Sequence, residues 1–300
     1  MAEWNIKTRK GLIVGIVLMV LVVTLGGALV WFAITRPLNF GTFLLGLAVL
    51  LCLGLVGLMA YWLYGLARSN YALDRNALVI HWGINEQTIP TQQVQRVVLG
   101  EEITGHIRFR GGLWPGHCVG YGELPEIGTT LFYGTARPRQ QVFIVTPGLT
   151  YGISPADRDA FIESLNKRIE MGPTQTVEQS SKRPRMLEWP IWQDRLALGL
   201  LVSSALLLLG LVGLLSYRFP GLPDLVPLHF DALGLPDRIG SRAYVFIIPT
   251  IGLLALMLNG ALGWILQRVD RIASYLLWGG AILVQTLGWA AAIGILRQVQ

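Results

Sequence analysis

Five apolar windows, Gly11 to Ile34, Phe40 to Leu66, Leu196 to Tyr217, Ala243 to Ile265 and Ile272 to Leu296, constrain this chain more than anything else in it. A helix rises about 1.5 Å per residue, so about 20 apolar residues cross a hydrocarbon core of about 30 Å. Each window is long enough. Only 14% of the residues are charged and 53% are hydrophobic, whereas roughly a quarter are charged in a soluble domain. Five transmembrane helices are therefore expected. Lys7, Arg9 and Lys10 precede the first window as in a signal peptide, but its apolar run is long and no A-x-A-like cleavage site follows. A retained helix is the reading.

Between the second and third windows lies a polar stretch with 13 Lys/Arg and 12 Asp/Glu over residues 68–188, a net +1 of the chain's +6. The basic excess therefore sits with the apolar windows and their flanks, which argues against a nucleic-acid partner and for a topology signal. Lys7, Arg9, Lys10, Arg68, Arg195, Arg268 and Arg271 fall on one side of the five spans, and Lys182, Arg183 and Arg185 join them. Arg36, Arg218, Arg238, Arg242 and Arg297 fall on the other. By the positive-inside rule the first side is cytoplasmic, so the N-terminus and the polar stretch are inside and the C-terminus is external. Cys52 lies in a span and Cys118 in the reducing compartment, so no disulfide is expected.

From Asn70 the pattern becomes alternating. Tyr71 and Leu73 precede a turn at Asp74-Arg75-Asn76, and Leu78, Ile80 and Trp82 follow on one face, a β-hairpin signature. Further strands are expected at residues 87–89, 94–99, 107–109, 129–135, 141–146 and 149–153, enough for a sandwich or a barrel. A helix then closes the unit, with Ser154 as N-cap, Pro155 as first helical residue, Asp157 at N3, and Phe161, Ile162, Leu165 and Ile169 as its apolar stripe. Tyr71-x-Leu73, Leu78-x-Ile80-x-x-Gly83, Ile89-Pro90, Val94 to Val98, and Tyr151-x-Ile153-Ser154-Pro155-x-Asp157 with Phe161 and Leu165 resemble the bacterial pleckstrin-homology (PH) domain family. The expected fold is thus a multi-pass α-helical membrane protein with an inserted PH-like β-sandwich or barrel closed by one helix. Its domains are two spans in 1–67, the PH-like domain in 68–170, a linker in 171–193, and three spans in 194–300 with an external loop at 218–242.

In that loop, Pro223-Asp224-Leu225-Val226-Pro227-Leu228-His229-Phe230-Asp231, with Gly234, Pro236-Asp237-Arg238 and Pro249, resembles the membrane domain of unknown function shared with Sdp-type immunity proteins. The resemblance implies signalling or protection from a membrane toxin. His229 with Asp224, Asp231 and Asp237 could hold a metal, His229 and Asp231 being the residues it would use, but the spacing fits no zinc pattern and such acids commonly cap turns. No metal or cofactor is expected, there or at His106, His117 and Cys118.

No nucleophile elbow, phosphate loop or H-E-x-x-H occurs, and Glu101-Glu102 and Glu123 with Glu126 read as solvated charge, so the chain is not expected to be an enzyme. PH domains that bind phosphoinositides use several bases in the loop after the first strand, and here that loop holds Arg75 alone. Candidate partner-binding residues are instead Arg108 with Arg110 and Arg137 with Arg139, each pair spaced i, i+2 so as to face one side of a strand, and the aromatics Trp114 and Tyr121 of a Gly-rich loop, 111–121. Lys182, Arg183, Arg185, Trp189 and Trp192 are candidates for the membrane interface. The spans lack ionisable groups at mid-membrane, which disfavours transport. Asn259 and Gln285, the most polar residues of the last two, would lie about 9 Å apart in height in an antiparallel hairpin. The expected role is a membrane-anchored scaffold or signalling component that binds membrane lipids and another membrane or cytoplasmic protein. The alternative is an immunity-like or sensory receptor working through the loop around His229.

Overall fold

A computed structural model describes residues 2–182, 189–230 and 236–299. Strand β1 (Ala2–Trp4) precedes the long helices α1 (Arg9–Ile34) and α2 (Phe40–Ala67). Strands β2 (Ser69–Leu73), β3 (Ala77–Trp82), β4 (Asn85–Pro90), β5 (Arg96–Leu99), β6 (Arg108–Trp114), β7 (His117–Leu124), β8 (Gly128–Gly134), β9 (Val142–Val145) and β10 (Thr150–Ile153) follow, then helix α3 (Arg158–Met171) and strand β11 (Ser180–Lys182). Helix α4 (Arg195–Arg218), the hairpin β12 (Leu225–Phe230) and β13 (Pro236–Ser241), and helices α5 (Ile247–Leu266) and α6 (Arg271–Gln298) complete the chain. Among the described residues five helices are long and apolar enough to cross a membrane, at Arg9–Ile34, Phe40–Ala67, Arg195–Gly221, Arg242–Leu266 and Arg271–Gln298. Their outward side chains explain themselves only in lipid: Leu21, Leu51 and Leu206 are each more than 60% exposed.

Two compact units divide the chain, one made of residues 1–25 and 52–184, the other of 26–51 and 185–300. In the first, the strands form two sheets and no closed barrel. An antiparallel sheet runs β1-β2-β3-β4-β11, and a six-stranded sheet runs β5-β9-β10-β8-β7-β6 with β8 and β10 parallel. Alternation decides what lies between them: Tyr71, Leu73, Leu78, Ile80 and Ile89 of the first sheet and Val142, Ile144, Tyr151 and Ile153 of the second share one core. Phe161 and Leu165 of α3 are fully buried in the same core, each burial stabilising by about 1.5–3 kcal/mol. Tyr71 Oη ties the layers together, donating to Tyr133 O at 2.5 Å and accepting from Ser154 N at 3.0 Å. Burial raises its pKa, so the phenol stays a neutral donor. Phe132, Phe143, Cys118, Leu124 and Ile103 form a second, smaller core.

Three sequence expectations change here. The N-cap of α3 is Asp157, which accepts from Ala160 N at 3.1 Å, while Ser154 Oγ accepts from Thr135 N at 2.6 Å and so serves the sheet. The Gly-rich stretch 111–121 is no loop but the β6–β7 hairpin, paired from Arg108↔Glu123 to Trp114↔His117. Part of the expected linker is structured, since Ser180–Lys182 pairs with β4, Arg75 donates to the carbonyls of Met171 and Gly172, and Asn76 Oδ1 accepts from Thr174 and Gln175.

In the second unit, Asp194 caps α4 by accepting from Leu196 N and Ala197 N, and Asp270 caps α6 likewise. The Asp194 carboxylate also accepts from Tyr275 Oη at 2.6 Å and Gln267 Nε2 at 3.3 Å. The Tyr275 hydrogen bond above all holds its pKa below the usual carboxylate range. Gln285 pairs not with Asn259 but with the Gly252 carbonyl at 2.8 Å, where a Cβ would lie 2.5 Å from Gln285 Oε1. Trp278 is likewise seated on Gly263. Small residues here let helices α5 and α6 approach closely.

Candidate interaction surface

The β6–β7 hairpin gathers most of the candidate residues, and its two ends differ. At the turn, Trp114 Nε1 donates to Gly11 O at 3.0 Å, and the Trp114 ring stacks on His117 with centroids 3.9 Å apart. Trp62 of α2 and Trp82 of β3 each lie 6.2 Å from the His117 ring. Gly116 faces the first turn of α1 so closely that a Cβ on it would fall 2.3 Å from Gly11 N, and a Cβ on Gly11 would fall 2.0 Å from Gly116 O. Gly15, one turn on, sits against Leu63 of α2. The half-buried Trp114 thus fastens the hairpin turn to α1.

His117 is fully buried with neither ring nitrogen hydrogen-bonded among the described residues. Desolvation lowers its pKa to about 4, because an imidazolium there would lose its water without gaining a carboxylate. Cys118, the next residue on the strand, faces the opposite side and packs with Phe132 and Phe143. Burial pushes its thiol up to about 12. A neutral imidazole and a neutral thiol on opposite faces form no nucleophile and base pair. His106 is exposed.

At the open end of the hairpin, Arg108 and Arg110 are exposed on one face of β6, with Phe109 turned inward against Phe132 at 5.2 Å. Pairing sets Tyr121 opposite Arg110 and Glu123 opposite Arg108. Tyr121 is 54% exposed. Arg108, Arg110, Tyr121, Glu123 and Thr129 line a concavity of about 260 Å³. The Arg108–Glu123 pair is open to water at 3.7 Å, and such pairs contribute about 0–1 kcal/mol. The guanidinium is therefore readily released to an incoming carboxylate or phosphate. β6 is also an edge strand of its sheet, so main-chain groups accompany the charge.

Arg137 and Arg139 do not share a strand face as their spacing suggested. Arg139 lies in a single 3₁₀ turn, Pro138–Gln140, with Arg137 as its N-cap, and Arg139 donates to Gly105 O at 2.9 Å. Glu101 pairs with Arg158 at 3.1 Å, and Glu102 Oε2 accepts from Leu99 N.

Of the membrane-interface candidates, Lys182 is on β11 and pairs with Glu86 at 2.7 Å. Trp189 donates to Trp264 O at 3.2 Å and is covered by the Arg268 guanidinium 3.6 Å from its ring centroid. Trp192 is 59% exposed. Arg183 and Arg185 lie outside the described residues, as does Asp231. In the β12–β13 hairpin His229 stands opposite Arg238 in the register. Asp224 is committed to the hairpin's closure, its carbonyl accepting from Arg242 N at 2.9 Å and its carboxylate 3.5 Å from the Arg242 guanidinium.

Sequence reasoning passed over Gly11, Gly116, Trp62 and His117 as a group. The spacing Gly11-x-x-x-Gly15 at the start of α1 is the sequence signal that bears on it, and the place of Gly11 in the first turn is what lets it receive the hairpin turn.

Residues 69–169 match the family model described as bacterial PH domain, and residues 205–253 match a domain of unknown function (DUF1648). No curated protein and no solved structure matches the chain.

Proposed function

From a chain with five membrane-length helices and a domain matching the bacterial PH family, we propose a non-enzymatic scaffold or signalling component that tethers a protein partner at the membrane. The observation that carries this reading is the exposed face of β6 and β7, where Arg108 and Arg110 on the edge strand β6 stand beside Tyr121 of β7. Its chemistry suits an acidic protein segment: two forked cations, a phenol and unpaired main-chain groups. Holding the site at the membrane raises its effective concentration, so modest affinity suffices. The buried, neutral states of His117 and Cys118 support a role without chemistry. The Lys/Arg distribution supports placing the domain in the cytoplasm of a bacterial cell, with the C-terminus outside.

The test is co-purification from native membranes of the full-length protein and of Arg108→Glu/Arg110→Glu. A partner identified with the wild type, reconstituted with it from pure components and lost with the double variant supports the reading. Equal recovery with both proteins defeats it.

A second reading, an immunity-like or sensory receptor, draws on the β12–β13 hairpin, where Leu225 and Ile239 are 65% and 61% exposed. His229→Ala abolishing a toxin-resistance phenotype while the Arg108/Arg110 variant retains it would favour that reading over the first.

A further inference from the structure

After β1 pairs with β2, the chain crosses to the far side of the sandwich, where Ile6 bridges Pro155 and Asn5 O accepts from Ala156 N at 2.9 Å. This path delivers Lys7 to the rim of a polar cavity of about 150 Å³, lined by Thr135, Gln140, Ser154 and Arg158. Lys7 also borders a larger concavity of about 570 Å³, walled by Ile6, Ile13 and Val14 together with Arg9 and Lys10. The first is the more polar of the two, with Thr135, Ser154 and Arg158 standing among Ala136, Val142 and Pro155, and the second opens along the first turns of α1, the helix that leads into the bilayer. We propose that the two concavities form one site for an anionic phospholipid, with its phosphate on Lys7 at their junction, its headgroup in the polar cavity and an acyl chain along Ile13 and Val14.

Charge and size both point that way. Among the described residues none of Lys7, Arg9 and Lys10 pairs with a carboxylate, so three cations surround the junction uncompensated. Arg158 adds a fourth, shared with Glu101 and Asp159 at 3.1 and 3.4 Å. Ser154 Oγ already accepts from Thr135 N, and it shares one proton with Thr135 Oγ1 at 3.2 Å. That leaves one of the two hydroxyl protons to donate to a ligand oxygen. The polar cavity, about 150 Å³, has room for about five waters. That accommodates a glycerol or a single phosphate. A soluble phosphate ester would share the Lys7 contact but make no use of the Ile13 and Val14 wall, which is why a bilayer lipid is the assigned occupant.

This site is separate from the β6–β7 face and extends only the membrane-contact half of the proposed function. Its test reads bound lipid rather than captured protein, so either can fail alone. The full-length protein, delipidated in neutral detergent, is titrated with phosphatidylglycerol, phosphatidylcholine or glycerol phosphate, and bound lipid is counted by native mass spectrometry. One phosphatidylglycerol per chain, held in preference to phosphatidylcholine, is expected. Lys7→Gln should weaken it about fivefold and Lys7→Gln/Arg158→Gln about thirtyfold, with Arg36→Gln unchanged. Lys7 is exposed, so the single variant keeps the test decisive should the double variant fail to fold. Equal affinity for the two lipids, an unaffected Lys7→Gln, an equal loss in Arg36→Gln, or glycerol phosphate competing as well as the lipid would each overturn the assignment.

Discussion

The two ends of the β6–β7 hairpin are built from the same pair of strands and obey opposite rules. At the turn, Gly116, Trp114 and His117 are closed against Gly11, Trp62 and Trp82, with backbone meeting backbone. At the other end Arg108, Arg110, Tyr121 and Glu123 stand in water. The contrast separates anchoring from display: the closed end fixes where the strands start, and the open end is then free to carry charge at no cost to the fold. Glycine marks the difference most sharply. Gly116 at φ +90° and Gly128, the first residue of β8, at φ +99° have similar backbones, yet a Cβ at Gly128 meets nothing within 4 Å.

The largest expected effect tests that pair. Gly116→Val adds a branched side chain where the backbone of Gly11 cannot yield, on top of about 1–3 kcal/mol of conformational strain. A loss of more than about 4 kcal/mol is expected, read as the thermal midpoint of tryptophan fluorescence in detergent. Gly128→Ala should cost about 1 kcal/mol, the strain alone. Similar midpoints for the two variants would erase the distinction between the ends.

Next comes pH. His117 is neutral when folded, with a pKa of about 4 against an ordinary 6.5, so below pH about 6.5 the unfolded chain binds a proton that the folded one does not. Stability should therefore fall as pH drops from about 6.5 to about 4, by about 3 kcal/mol in all, and change no further through this group below that. Above pH 6.5 the contribution is complete. His117→Phe, which keeps an aromatic ring in the cage, should flatten this part of the profile, and an unchanged slope would place the titration elsewhere. Trp114→Phe keeps the stack but deletes the hydrogen bond to Gly11 O, for about 1 kcal/mol. A full midpoint match to wild type would mean that the bond is not formed in solution.

How much of this was legible in the sequence follows from the range of the interactions. The five spans and the Tyr71, Leu78 and Ile80 alternation are local periodicities and were read within a few residues of the observed bounds. The stripe of α3 was read for the same reason, since Phe161 and Leu165 are buried as a period of 3.6 requires. Its cap was not, because Ser154 and Asp157 are both good caps by type, and only the sheet, through Thr135 N, decides which is free. The β6–β7 hairpin was missed because glycine at 111, 112, 116, 120 and 122 reads as loop. Close backbone contact needs those glycines: a Cβ at Gly120 would lie 2.2 Å from Arg110 O, and one at Gly122 would lie 1.9 Å from Arg108 O. The Arg108 and Arg110 face survived translation into structure because it rests on strand periodicity. Arg137 and Arg139 did not, since Pro138 forces a turn between them.

The smallest expected effect on stability is the one with most bearing on function. Arg108→Ala/Arg110→Ala removes two exposed guanidinium groups and one water-exposed ion pair, so the unfolding midpoint should move by no more than about 0.5 kcal/mol in equivalent stability. Association with an acidic partner should nevertheless weaken, and the part lost should be the salt-sensitive part, because interactions between exposed charges are screened over about 8 Å at physiological ionic strength. Measuring both quantities on one preparation makes the comparison strict. A double variant that unfolds several degrees early would show that the open end also holds the fold together. One that keeps both its stability and its salt-dependent binding would move the partner to another face of the domain.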